Sequence, residues 1–257
     1  MQFDEYIRPV DLEEAWQLNQ KRANRVLGGT IWMKMSPGRF RTAIDLCDLG
    51  LDKIEEMQDH YRIGCMASLH ALERHEGLNR LTHGALREAL ESIVGVQFRN
   101  CATLGGSLWR RAGFSDVLTI FMAMEAEAEL YRAGQVSMEA FAAMKPDNDL
   151  LIYVHVPKKN FEIVYQSMRN TRTDFPVLTC AMTRQSDRFT AVIGARPMRA
   201  VKLTCPLDME AEAFAAHVQQ SLVYGSDMRA SAEYRRHLAG VLIRRGFERL
   251  GGIKHED

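Results

Sequence analysis

Two pairs of adjacent glycines are the residues of this sequence best suited to binding a ligand. Gly28-Gly29 and Gly105-Gly106 each follow a short apolar run, and each precedes a hydroxyl residue, Thr30 or Ser107. Glycine permits a tight turn and a close approach of backbone to ligand, because it has no Cβ. Consecutive amides in such a turn can bind an anion, and a hydroxyl adds one more donor. The pattern indicates two loops that can hold the two phosphates of a dinucleotide, with two ordinary turns as the alternative.

Signatures of other chemistries are missing from the sequence. It has no G-x-G-x-x-G of the nicotinamide-binding Rossmann type, no P-loop and no H-E-x-x-H. The eight histidines are scattered, and His70 and His75 do not have the i, i+4 spacing that places two ligands on one helical face. We therefore assign no metal site and no catalytic acid or base.

Composition and charge restrict the class of protein. The 257 residues are 46% hydrophobic and 26% charged, and 33 basic residues balance 33 acidic ones, which argues against nucleic acid as the main partner. Five dispersed cysteines without a C-x-x-C pair indicate reduced thiols in a cytoplasmic protein and exclude a local iron–sulfur cluster. No signal peptide is expected, because the first ten residues have no basic segment followed by an apolar stretch. No membrane span is expected, since no apolar run approaches about 18 residues.

Hydrophobic periodicity predicts three regions. The first, to about residue 51, has a helix capped by Asp11 with Glu14, a strand at 25–27 before the first glycine pair, a short helix and a strand at 42–46. The second, residues 52–156, alternates helices and strands; it includes a helix at 117–124 and a strand that Pro157 ends. The rest has strands at 161–168, 177–183 and 190–194, then helices at 210–223 and 232–250. The arginines of the last helix are predicted to form a solvent-exposed face, with a docking surface for a partner subunit as the alternative: Arg235, Arg236, Arg244 and Arg245.

Several short sequence words occur in one particular order. They are I-R-P at 7–9, L-G-G-T at 27–30, R-I-G at 62–64, R-N-C-A-T-L-G-G-S-L at 99–108, S-D at 115–116, T-D-F-P at 173–176 and G-S-D-M-R-A-S-A-E-Y-R-R at 225–236. Together they closely resemble the FAD-binding subunit of the molybdenum hydroxylases, the family of xanthine dehydrogenase and aerobic carbon monoxide dehydrogenase. The resemblance covers essentially the whole chain.

The resemblance implies an α+β protein with a PCMH-type, vanillyl-alcohol-oxidase-like FAD-binding fold. Its FAD-binding domain would span residues 1–156, as two α/β subdomains at about 1–51 and 52–156 that clasp the cofactor. Residues 157–257 would form a C-terminal domain of antiparallel sheet plus helices.

The resemblance also implies which residues bind FAD. The family's loop A-G-G-T-D-L falls on 27–32, where Ile31 and Trp32 replace the usual acidic and aliphatic pair. The loop T-x-G-G-N-I falls on 103–108, with Ser107 where asparagine is common. The full implied set is Leu27, Gly28, Gly29, Thr30, Ile31, Trp32, Ile93, Val94, Thr103, Gly106, Ser107, Trp109, Arg110, Ser115, Asp116, Leu150 and Leu151.

Three members of this set have two interpretations each. Trp32 either stacks on the cofactor or belongs to the core, and Arg110, with its neighbour Arg111, meets phosphate or faces solvent. Asp116 either caps the helix that follows it or accepts a hydrogen bond from a ribityl or ribose hydroxyl of FAD. For Ile93 and Val94 there is a single interpretation, since they match the backbone stretch that lies near the flavin ring in the family.

The implied function is electron transfer. The chain would take electrons from the 2Fe-2S clusters of a small partner subunit, beside a large molybdenum-cofactor subunit, and pass them through FAD to NAD+ or another acceptor. The alternatives are a structural subunit of the same fold with weak or lost FAD binding, and a stand-alone flavin oxidase.

Overall fold

The first region is a small parallel α/β unit. The computed structural model of the protein describes residues 1–159 and 162–251. Three parallel strands lie in the order β1 (Gln2–Ile7), β3 (Arg39–Asp45), β2 (Arg25–Leu27), joined by α1 (Leu12–Asn19) and α2 (Ile31–Lys34). Asp11 caps α1 by accepting from the Glu14 amide at 2.8 Å, and Glu14 accepts from the Val10 amide, which confirms the predicted helix start.

The second region is a five-stranded antiparallel sheet with helices. The strands lie in the order β4 (Ile54–Glu56), β5 (His60–Gly64), β8 (Leu151–Pro157), β6 (Glu127–Leu130), β7 (Gly134–Ser137). Its helices are α3 (Leu69–Arg74), α4 (Glu76–Leu81), α5 (Ala85–Glu91), α6 (Val96–Cys101), α7 (Leu104–Trp109), α8 (Asp116–Ala123) and α9 (Met138–Ala143).

The third region is a four-stranded antiparallel sheet backed by two helices. Its strands lie in the order β12 (Val201–Pro206), β11 (Arg188–Gly194), β10 (Leu178–Arg184), β9 (Glu162–Met168), followed by α10 (Ala211–Ser221) and α11 (Ala232–Gly251). Phe161, the predicted first residue of β9, lies outside the described residues. The fourth strand, β12, is an element that the sequence patterns do not predict. In the described part of the chain, no helix is long and apolar enough to cross a membrane.

Helix α8 joins the second and third regions into one core. All eight of its residues are buried, and its apolar side chains share a hydrophobic cluster with Tyr165 and Val192 of the C-terminal sheet. Thr119 on α8 hydrogen-bonds Thr179 on β10 at 2.9 Å, inside the protein. A Cβ at Gly194 would lie 2.4 Å from the Thr119 hydroxyl oxygen, so only glycine allows β11 to approach this closely. The helix is thus fixed between the two sheets.

Arg235 does not lie on the predicted solvent-exposed face of α11. Its side chain is fully buried, and its guanidinium donates to the carbonyls of Val177, Gly225 and Ala230 at 2.7–2.9 Å and to Asp227 at 2.6 Å. Arg236 is exposed, as predicted. The exposure prediction was wrong for Arg235, because the segment 225–231 folds back over it and supplies three acceptors, and Val177 supplies a fourth.

Replacing Arg235 should destabilise the C-terminal domain. In Arg235→Met, the three carbonyls and Asp227 lose their donor inside the protein, so we expect the free energy of unfolding to fall by about 3–5 kcal/mol. Urea denaturation followed by circular dichroism measures this change. The neighbouring exposed variant Arg236→Met is the control and should change stability by no more than about 0.5 kcal/mol. Equal effects of the two substitutions would contradict the assignment.

Candidate functional site

The first glycine pair lies at the carboxyl edge of the parallel sheet, where open α/β sheets bind their ligands. Strand β2 ends at Leu27, and Gly28-Gly29 leads into Thr30, which precedes α2 with a left-handed φ of 57°. The backbone amides of residues 28–30 have no hydrogen-bond acceptor among the described residues, and the Thr30 side chain makes no cap hydrogen bond. Three amides and a hydroxyl are therefore available to bind an anion.

The two glycine pairs lie side by side, and their contact requires glycine. A Cβ at Gly29 would lie 1.9 Å from the carbonyl oxygen of Cys101, which is part of a fixed backbone. A Cβ at Gly28 would lie 2.8 Å from the Thr103 hydroxyl and 3.4 Å from the Gly106 Cα. The structure thus brings together residues of the implied set that are more than 70 positions apart in the sequence.

The second glycine pair differs from the expectation in its hydrogen bonding. It lies in the first turn of α7, where the Gly105 amide donates to Cys65 O at 2.7 Å and the Gly106 amide donates to the Thr103 hydroxyl at 3.1 Å. The Ser107 hydroxyl donates to Thr103 O at 2.8 Å. The expectation of a second set of free amides was wrong, because the helix cap and the neighbouring segment already use these donors.

The glycines of this second pair have different surroundings. A Cβ at Gly105 would lie 2.9 Å from Cys65 O, whereas a Cβ at Gly106 would meet only the Thr103 hydroxyl within 3.5 Å, at 3.1 Å. Gly106 is also exposed, while Gly105 is buried. Gly105 is therefore needed for packing, and Gly106 leaves an open surface facing the first pair.

Backbone strain occurs at two residues of the implied set. Thr30 and Val94 have positive φ values of 57° and 52°, a region that β-branched residues rarely adopt and that costs about 1–3 kcal/mol. The turn at Val94 is fixed from beneath by the buried Arg99, which donates to Ile93 O at 3.1 Å and forms an ion pair with Glu73 at 2.7 Å. The Val94 side chain remains 46% exposed. Strain of this kind is characteristic of binding sites.

Trp32 is at the surface and stacks on the C-terminal domain. Its ring lies 5.3 Å from that of Phe175 at an interplanar angle of 24°, and Phe114 completes the cluster at 4.1 Å from Phe175. Trp32 is 42% exposed, so the core interpretation was wrong. A cavity of about 110 Å³ opens beside Phe114 and Phe175, with Arg229 in its wall.

Asp116 makes an ion pair and does not cap α8. Ser115 is the cap, because its hydroxyl accepts from the Leu118 amide at 3.0 Å. The Asp116 carboxylate is buried, and its Oδ1 accepts from Arg169 Nη2 at 2.5 Å and from the Tyr165 hydroxyl. Burial raises the pKa of Asp116, while Arg169 and Tyr165 act in the opposite direction. Oδ2 accepts from none of the described side chains.

The remaining members of the set occupy flanking or core positions. Trp109 packs 6.2 Å from the ring of Phe141, and Leu150 and Leu151 are buried at the start of β8. Arg110 is exposed at the end of α7. Its neighbour Arg111 neither meets solvent nor faces the glycine pairs, since it is buried with Nε donating to Phe141 O at 2.7 Å.

The site also contains residues to which the sequence assigned no role. Phe175 belongs to the T-D-F-P motif at 173–176, which the sequence analysis identified. The sequence did not indicate that Phe175 stacks on Trp32. Tyr165 and Arg169 carry no local signal, because they meet Asp116 across 49 and 53 residues of sequence.

Comparisons with known proteins agree with this geometry. Residues 1–159 match the family described as the FAD binding domain in molybdopterin dehydrogenase, and residues 163–250 match the CO dehydrogenase flavoprotein C-terminal domain. The protein YgfM of Escherichia coli K12 is 25% identical over 247 residues, which cover 93% of each chain. The xanthine dehydrogenase FAD-binding subunit of Escherichia coli O157:H7 is 25% identical, over 95% of this chain and 94% of its own.

The fold agrees with solved structures as well. A chain of carbon monoxide dehydrogenase from Hydrogenophaga pseudoflava superposes with a TM-score of 0.85 at 20% identity, over 96% of both chains. The predicted α+β architecture, an FAD-binding domain followed by a sheet-and-helix domain, is confirmed.

Relieving the strain at Val94 should stabilise the protein. Val94→Gly removes the side chain from a left-handed backbone, so we expect the free energy of unfolding to rise by about 1 kcal/mol. Val96→Gly is a matched control, because Val96 is also an exposed valine but has no positive φ. The control should destabilise by about 0.5–1 kcal/mol. Loss of stability in both variants would show that Val94 is not strained.

Proposed function

This chain belongs to the family of FAD-binding domains in molybdopterin dehydrogenases, and we propose that it is the electron-transfer subunit of a molybdenum hydroxylase complex. It is an oxidoreductase subunit, and its cofactor is FAD. Electrons would come from the 2Fe-2S clusters of a small partner subunit and pass through FAD to NAD+ or another acceptor. A large partner subunit with the molybdenum cofactor would oxidise the substrate.

The contact between the two glycine pairs is the observation that carries this proposal. Gly28 lies against Thr103 and Gly106, and the free amides of residues 28–30 open beside that contact. Such amides can donate to the negatively charged oxygens of a cofactor with two phosphates, and the glycines leave little steric hindrance to its approach. The residues present therefore fit the pyrophosphate of FAD.

Each group of site residues would have its own task. Bound FAD supplies one- and two-electron redox chemistry, which the protein's side chains do not provide. The amides of residues 28–30 would hold the pyrophosphate, with the exposed Arg110 as an additional positive charge. Asp116 Oδ2 would accept from a ribityl or ribose hydroxyl. Ile93 and Val94 would give an apolar surface, and Trp32 with its aromatic neighbours would exclude water.

The rest of the implied set would support this arrangement. Leu27 and Ile31 flank the first glycine pair, and Ser115 and Ser107 fix the ends of helices. Trp109, Leu150 and Leu151 would act from the core beneath the site. No acid or base is proposed, because electron transfer through a flavin does not require one from the protein.

The proposed setting is a cytoplasmic complex of three kinds of subunit. Two relatives are named as subunits of enzymes: the xanthine dehydrogenase FAD-binding subunit and the nicotine 6-hydroxylase medium subunit of Paenarthrobacter nicotinovorans. The five cysteines are free thiols, two of them exposed, in keeping with a reducing compartment. We retain 1–156 and 157–257 as the domain division.

Isolation of the native complex tests the proposal. The chain, tagged in its own host, should co-purify with molybdenum, iron and two further subunits, and NADH should bleach the visible flavin absorption under anaerobic conditions. A flavin-containing chain that turns over substrate without partners would instead indicate a stand-alone oxidase. A colourless chain that still assembles with partners would indicate a structural subunit.

The glycine contact itself can be tested by adding single methyl groups. Gly106→Ala should leave the fold intact, since only the Thr103 hydroxyl is near, and should weaken FAD binding about tenfold, or ~1.4 kcal/mol. Fluorescence titration of the apoprotein with FAD measures the dissociation constant. Gly251→Ala, at a helical glycine with nothing within 4 Å of the new Cβ, should leave it unchanged. Unaltered FAD affinity in Gly106→Ala would place the cofactor elsewhere.

A further inference from the structure

Arg169 is a buried residue that binds two segments distant from each other in the sequence. It follows the last residue of β9, and its side chain is 7% exposed. Nη2 donates to Asp116 Oδ1 at 2.5 Å, and Nη1 donates to the backbone carbonyl of Asp174 at 2.5 Å. One guanidinium therefore binds both the start of α8 and a turn of the C-terminal domain.

The turn bound by Arg169 carries Phe175, the aromatic residue that stacks on Trp32. Asp174 Oδ1 accepts from the Phe175 amide at 2.7 Å and from Arg229 Nη2 at 2.9 Å. This fixes the Phe175 ring, which stacks on Trp32 only two residues after Thr30. The chain of contacts thus runs from Asp116 through Arg169 and Phe175 to Trp32, on the helix that follows the first glycine pair.

We propose that Arg169, assisted by Tyr165, is a positioning residue for FAD. Both donate to Oδ1 of Asp116, so the carboxylate cannot rotate freely, and Oδ2 is presented to a hydroxyl of the cofactor. The same arginine holds the Phe175 turn against Trp32. The C-terminal domain therefore helps to form the cofactor site. This inference rests on the proposed contact of Asp116 with FAD.

The charge of Arg169 has a second effect on Asp116. Burial favours the neutral carboxyl group and raises its pKa, while the Arg169 guanidinium and the Tyr165 hydroxyl favour the anion. An ionised carboxylate is the stronger acceptor for a hydroxyl donor. Loss of Arg169 would leave a buried carboxyl group that takes up a proton more readily and loses its fixed orientation. FAD affinity should therefore depend on Arg169 through Asp116.

A double-mutant cycle on FAD affinity tests this coupling in the full chain. Arg169→Met and Asp116→Asn should each weaken FAD binding about tenfold, and the double variant should lose less than the product of the two single losses, because Arg169 acts in part through Asp116. Arg169→Lys keeps the charge beside Asp116 but not the forked pair of donors, so it should recover part of the affinity. Thr179→Val breaks a different buried contact between α8 and the C-terminal sheet, so it should lower the urea midpoint without changing FAD affinity.

The possible outcomes separate the inference from the proposed function. Independent, additive losses in the cycle, or full affinity in Arg169→Met or Asp116→Asn, would overturn the positioning role while FAD binding stands. A wild-type chain that binds no FAD would instead contradict the proposed function. If Arg169→Met does not fold, Tyr165→Phe removes a single donor to Oδ1, and its affinity loss must likewise be smaller in the Asp116→Asn background.

Discussion

The structure depends on one direct contact between two backbone segments, Gly29 and the carbonyl of Cys101. The Gly29 Cα faces the Cys101 carbonyl so closely that a single methyl group would lie 1.9 Å from its oxygen. This contact joins the carboxyl edge of the parallel sheet to the C-terminal end of α6, just before α7. Because both partners are backbone, neither can move aside as a flexible side chain does. The spacing of the two halves of the FAD-binding domain is therefore fixed, and the free amides of residues 28–30 lie at their junction.

The C-terminal domain contributes to this junction through packing and charge. The fully buried α8 shares its core with the C-terminal sheet, so the two regions do not move independently at this point. The buried pair of Asp116 and Arg169 adds little net stability, since desolvation offsets most of the attraction. Its value is geometric, because it holds one carboxylate oxygen, while the other accepts from no side chain within residues 1–159 and 162–251. The strained residues Thr30 and Val94 add to a site whose shape is set before the cofactor binds.

Local sequence signals predicted the elements that local contacts determine. The cap at Asp11, the strand before Gly28 and the apolar helix α8 are each encoded within about ten residues. Strand β1 was missed because it pairs on one side only and buries little of its surface, so its side chains do not alternate clearly. Distant partners were not predictable either. Asp116 pairs with a residue 53 positions away, and one of the acceptors of the buried Arg235 is the Val177 carbonyl, 58 positions away. The glycine pairs were found from sequence, but the Gly105 amide donates to Cys65, a residue 40 positions away that follows β5.

Amide hydrogen exchange of residues 28–30, with and without FAD, tests the central claim most directly. These amides have no acceptor among the described residues, so in the apoprotein they should exchange rapidly. With one FAD bound per chain, their exchange should slow at least about tenfold, because the pyrophosphate becomes their acceptor. The Gly106 amide, which already donates to Thr103, serves as the internal reference and should change less. Unchanged exchange at residues 28–30 in the FAD-saturated protein would contradict the account.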